Sequence, residues 1–137
     1  MPRVPAFRIS ALAELLRQLE YAPPETRKRH MDAAERLIAD LDPGQAYPEE
    51  FIVYRITGYR SDRAAEPATF VGAALQADLA NLVQRLSAQL DLPPRREGDG
   101  EGAAALPLQE VAARLNVSAK TVQRYRTQGL VCHVVAF

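Results

Sequence analysis

The sequence predicts a mainly α protein: an N-terminal helical bundle of about four helices, then a C-terminal helix-turn-helix with a short trailing β-strand. Three observations carry this. Apolar residues recur three and four apart through much of residues 10–90, the spacing of one helix face. The stretch "DLPPRREGDGEGAAA" then crowds prolines, glycines and charges together without apolar periodicity, which reads as a flexible linker. Beyond it, "PLQEVAARLNVSAKTVQRYRTQGL" carries two apolar helix faces separated by a three-residue break. The expected division is a helical domain over 1–90, a linker over 91–105, and a helix-turn-helix unit with an incomplete wing over 106–137.

In the segment "SALAELLRQLEYA", Leu12, Leu15, Leu16 and Leu19 fall on one helix face, with Ser10 available as N-cap. "PPETRKRH" restarts the chain. Pro24 suits a first helical position, where its missing N–H has no intrahelical role, and Met31, Ala34, Leu37, Ile38 and Leu41 continue a second amphipathic helix. "PEEFIVYRITGY" is β-branched, yet Pro48 followed by Glu49 and Glu50 has the chemistry of a helix N-terminus, so a short helix is expected there. Over residues 69–90, Phe70, Leu75, Leu79, Leu82, Val83, Leu86 and Leu90 mark the longest helix.

Seventeen basic residues offset seventeen acidic ones, so total charge says nothing about nucleic-acid affinity. Local charge is more informative. Over residues 107–137, Arg114, Lys120, Arg124 and Arg126 stand against Glu110, a net of +3, which leaves −3 on the first 106 residues. The only cysteine, Cys132, excludes an intramolecular disulfide framework, and no N-terminal apolar run has the length of a signal peptide or membrane span. A cytoplasmic protein without membrane attachment is expected.

Within the helix-turn-helix pattern, Leu108, Val111, Ala112 and Leu115 form the inward face of the first helix. Asn116 supplies a left-handed turn, Val117 plugs the corner, and Ser118 caps the second helix through the N–H of Lys120 or Thr121. At about 100° per residue, Val122 and Tyr125 face inward while Ala119, Lys120, Gln123, Arg124 and Thr127 face out. These outward residues suit double-stranded DNA. Gln pairs bidentately with adenine, Arg or Lys with guanine, and Ala119 fits a thymine methyl. Arg114 and Arg126 are expected nearer the flanks, where phosphates run. The final "LVCHVVAF" alternates as a strand without a visible partner, which leads to the expectation that the protein continues beyond Phe137.

Other chemistries find little support. Cys132 and His133 are strand neighbours pointing to opposite faces, which disfavours a shared metal ion. His30 belongs to a basic run at a helix start, and Glu49 and Glu50 diverge by about 100° on a helix, too far to share a proton. There is no glycine-rich phosphate loop or nucleophile elbow, so neither catalytic residues, a metal site nor a cofactor is expected.

The segments "FRISALAELLRQLEYAPPETRKRHMDAAERLIADLDP", "YPEEFIVYRITGYR", "FVGAALQADLANLVQRLS" and "LQEVAARLNVSAKTVQRYRTQGL" together resemble the N-terminal region of a group of bacterial sigma-70-like RNA polymerase sigma factors. The resemblance covers nearly the whole chain. It implies a helical module and a MerR- or excisionase-like helix-turn-helix preceding the regions that grip polymerase and promoter, and hence transcription initiation, with DNA and RNA polymerase as partners. The helix-turn-helix part is generic; the N-terminal segments are distinctive. Pro107 departs from the pattern, because it stands where a Ser or Thr cap is expected. A different reading of the same residues is a protein-interaction module, docking on RNA polymerase or a regulator, in which the two C-terminal helices only pack.

Overall fold

A computed structural model describes residues 6–59, 68–90 and 106–135. The architecture is mainly helical: α1 Ser10–Leu19, α2 Pro24–Asp40, α3 Glu49–Thr57, α4 Gly72–Ala88, α5 Leu108–Leu115 and α6 Ala119–Tyr125. Two short strands, β1 Ala46–Pro48 and β2 Thr69–Val71, pair antiparallel with Tyr47 opposite Phe70. The expected linker over 91–105 lies outside the described residues.

In α1 the leucine face is wholly buried, at Leu12, Leu15, Leu16 and Leu19. Its start differs from expectation. Ser10 is the first helical residue rather than the cap, and Ile9, in the cap position, offers no side-chain acceptor. The amides at this end go instead to Asp78 of α4. Arg8 N–H donates to both carboxylate oxygens, at 3.1 and 3.0 Å, and Ile9 N–H to one of them at 2.7 Å. A negative charge at a helix N-terminus interacts favourably with the positive end of the helix dipole, and its oxygens satisfy donors that have no intrahelical partner.

Pro24 opens α2 as expected, and Met31, Ala34 and Leu37 are buried along it. The last carbonyls of α2 are closed from a distance: Gln76 Nε2 donates to Ile38 O at 3.2 Å and Leu41 O at 3.0 Å. Helix α3 begins at Glu49, carries two carboxylates in its first turn, and ends at Gly58, whose φ of 74° is the left-handed conformation that glycine adopts at least cost.

Residues 69–71 do not belong to the long helix, contrary to the sequence expectation. Thr69 and Val71 are β-branched, and the backbone here pairs with β1; Glu49 N–H to Ala68 O (2.9 Å) and Gly72 N–H to Gln45 O (2.7 Å) extend the contact at both ends. Phe70 and Tyr47 pack against the core from this small sheet. Gly72 then starts α4 under the 42–45 turn, where a Cβ would stand 2.0 Å from Asp42 O.

Helix α4 is the centre of the molecule. Leu75, Leu79, Leu82, Val83 and Leu86 are fully buried, and Asp78, Asn81 and Ser87 are buried beside them. A helix buried on several faces needs neighbours on several sides. Here α1 and α2 cover part of it, and the 3₁₀ turn Arg126–Gln128 after α6 covers more.

The end of the chain corrects another expectation. Among the described residues, 130–135 form no strand. Backbone polar groups need partners whether or not a ladder is available, and here helices supply them. Leu130 N–H bonds Tyr125 O at 3.0 Å, Val134 N–H donates to Ser87 Oγ at 2.7 Å, and Val131 packs against the core. His133 Nε2 lies 3.0 Å from Glu35 Oε2 on α2. Ala136 and Phe137 fall outside the described residues.

Candidate nucleic-acid interface

Helix α5 starts after Pro107, which provides no side-chain cap, and buries Ala112. Its C-terminus closes through local chemistry. Asn116 adopts φ 55° and ψ 46°, its N–H bonds Ala113 O at 3.2 Å, and Val117 N–H bonds Ala112 O at 3.0 Å. That double closure across a left-handed residue satisfies carbonyls the helix leaves open. Three residues after the end of α5, Ser118 Oγ accepts from Thr121 N–H at 3.1 Å and starts α6, as its position in the sequence suggests. Val122 is fully buried on the inner side.

On α6, Lys120 and Arg124 are both exposed, one helical turn apart. No ion-pair partner engages either among the described residues. Thr127 is also exposed, although its hydroxyl donates to Arg124 O at 2.6 Å. Ala119 and Gln123 are half-buried. Arg114, on α5, is exposed and bonded to Glu110 at 2.9 Å. A surface pair of this spacing contributes only about 0.3–0.5 kcal/mol, so a phosphate can displace the carboxylate at small cost.

Two residues depart from the sequence reading. Leu115, expected inward, is 54% exposed, because Ala112 makes the buried contact and the chain reverses at Asn116. Arg126 is not at an open flank. Its guanidinium is half-buried, with Nη1 donating to Gln84 Oε1 on α4 at 2.6 Å and Nε to Gln123 O at 3.2 Å. The projection of a regular helix fails for it because α6 ends at Tyr125 and Arg126 opens the tighter turn that packs on α4. Gln84, Ser87 and Asp78, which these contacts and the start of α1 depend on, are not among the residues the sequence pattern singles out. Their signal is the run of polar residues among the leucines of "LQADLANLVQRLS", on a helix with more buried faces than one apolar stripe would require.

Elsewhere, Tyr47 stacks on Phe51 with ring centroids 5.7 Å apart, and the Arg55 guanidinium lies 5.6 Å from the Phe51 ring centre. Pro48, Glu50, Phe51 and Tyr54 line an open groove of about 270 Å³ beside them. Burial pushes the Cys132 thiol above its usual range, with Arg126 acting weakly in the opposite sense. Burial, helped by the charge of Arg29, lowers the His30 pKa, and its Nδ1 has no hydrogen-bond partner. Among the described residues no group of three His, Cys, Asp or Glu side chains converges as metal ligands would, and no helix is long and apolar enough to cross a membrane. No family model matches the chain, and no match is found among curated proteins or solved structures.

Proposed function

We propose that this chain is a DNA-binding module of transcription initiation or its regulation, the N-terminal part of a sigma-70-like factor. In this reading α1–α4 form the helical bundle and α5 and α6 a helix-turn-helix whose second helix lies in the major groove. One observation carries it: Lys120 and Arg124 are exposed and unpaired among the described residues, on the side of α6 away from buried Val122. The Asn116 turn and Ser118 cap fix where that helix begins. Gln123, Ala119 and Thr127 complete the reading face, and Arg114 holds phosphate after releasing Glu110. Arg126 is withdrawn from the phosphate-contacting set.

Selection from a random DNA pool, followed by affinity measurement across a salt series, tests this. Each good bidentate contact contributes roughly 1–3 kcal/mol of discrimination, so Lys120→Ala with Arg124→Ala should cost at least about tenfold in affinity for the selected sequence. The far-ultraviolet circular dichroism should not change. Equal binding by the double variant would remove the assignment.

A second reading draws support from the exposed aromatic face of α3, where Tyr54 is 39% exposed beside the Phe51 groove. Here the chain docks on RNA polymerase or a regulator without reading DNA. It predicts salt-insensitive retention of purified polymerase by the chain, weakened by Tyr54→Ala and indifferent to the Lys120 and Arg124 substitutions.

A further inference from the structure

The C-terminal segment rests on α4 through several independent contacts. Arg126 Nη1 meets Gln84 Oε1 at 2.6 Å, Val134 N–H meets Ser87 Oγ at 2.7 Å, and a Cβ on Gly129 would touch Gln76 Cβ at 3.4 Å. Gly129 has a φ of 107°, so the chain leaves the 3₁₀ turn in a conformation that brings its backbone against α4. Val131, partly buried, packs against the core cluster just beyond. All of these contacts lie immediately after α6, whose outward cations remain exposed.

We propose that α4 is a positioning element for DNA reading, with Gln84 the residue that fixes the orientation of α6 by holding Arg126. This rests on the DNA-binding reading above. A half-buried guanidinium bonded at once to Gln123 O on α6 and Gln84 on α4 ties the end of the reading helix to the central helix. Arg has the geometry for this: its donors diverge in one rigid plane, so two acceptors on different elements constrain it more than one would. The consequence is that residues of the N-terminal body, which need not touch DNA, influence sequence discrimination. Ser87 Oγ donates to the backbone carbonyl of Gln84 at 2.7 Å, a bond independent of the Gln84 side chain, so the Ser87 anchor is expected to remain when that side chain is removed.

Salt dependence separates positioning from phosphate contact. Loss of one phosphate-neutralising cation lowers the slope of log affinity against log salt by about 0.9, whereas a misoriented helix loses discrimination without releasing fewer counterions. The experiment compares the full chain with Gln84→Ala, Gln84→Glu and Arg126→Gln, using the selected duplex and a scrambled duplex, at a temperature where circular dichroism finds all four folded. Gln84→Ala should reduce the ratio of selected to scrambled affinity by about tenfold, within the range found for couplings through packed residues. Its salt slope should match that of the parent chain. Gln84→Glu, which keeps an acceptor for Arg126, should restore the ratio, and Arg126→Gln should reproduce the loss in ratio with the parent slope. A Gln84→Ala chain as selective as the parent overturns the positioning role alone, as does a fall of about 0.9 in the slope for Arg126→Gln. A parent chain that binds both duplexes equally removes this inference together with the reading beneath it.

Discussion

Replacing Asp78 by Ala should destabilise the fold more than any surface change, through the start of α1. The carboxylate is 4% exposed and accepts from the amides of Arg8 and Ile9. Ile9 is 3% exposed, so its N–H would stay buried without a partner, a loss of about 1–3 kcal/mol. Arg8 is less enclosed, and water can replace its bond, leaving about 0.5–1.5 kcal/mol. The interaction of the carboxylate with the helix dipole adds about 0.3–1 kcal/mol. Against these stands the cost of burying a charge, which the Ala variant no longer carries. The three losses sum to roughly 2–5 kcal/mol, and relief of the buried charge brings the expected loss to the lower part of that range, about 2–3 kcal/mol, a large fraction of the stability of an ordinary domain. In thermal unfolding followed by circular dichroism this corresponds to a fall in Tm of roughly 10 °C. Asp78→Asn keeps one acceptor oxygen and should lose about half as much. Urea titration provides the free energies. An Asp78→Ala chain whose stability changes by less than about 0.5 kcal/mol would refute the account, because that is the scale of substitutions touching no special feature.

Gly72→Ala places a Cβ 2.0 Å from Asp42 O, a backbone atom that cannot rotate away, so the 42–45 turn must shift. A loss of about 1–3 kcal/mol in urea unfolding is expected, and an unchanged midpoint would show that the turn yields freely. For His30, the folded pKa lies below its ordinary value of 6.5, so below that pH the unfolded chain binds more protons than the folded one. Its contribution to stability is therefore full above the unfolded pKa and lost as pH falls through the folded one. His30→Gln should flatten stability against pH in that window, and a slope identical to the parent chain would contradict the assignment.

Much of the helical framework is legible in the sequence because its causes are local. Leu12, Leu15, Leu16 and Leu19 define α1 by spacing alone, Pro24 sets the first position of α2, and Glu49 and Glu50 settle α3 as a helix despite its β-branched residues. The turn between α5 and α6 is equally local: Asn116 tolerates the left-handed conformation, and Ser118 reaches an amide three residues on. The exposure of Lys120 and Arg124 follows from the same periodicity, since Val122 fixes which side of α6 is buried.

Other features depend on partners far away along the chain. Ser10 has the chemistry of a cap, yet Asp78, some 70 residues later, takes the amides before it. Thr69 and Val71 leave the long helix because residues 46–48 offer a ladder. The "LVCHVVAF" segment alternates like a strand, but Ser87 and the core receive its described part. Arg126 has the charge of a phosphate contact and the position of an anchor, a difference set by Gln84 across 42 residues. Which faces must be buried, and where helices can start and stop, follows from side chains a few residues apart and so is written into the local sequence. Which acceptor each free amide or guanidinium finds depends on what folding brings beside it, and neither periodicity nor composition records that.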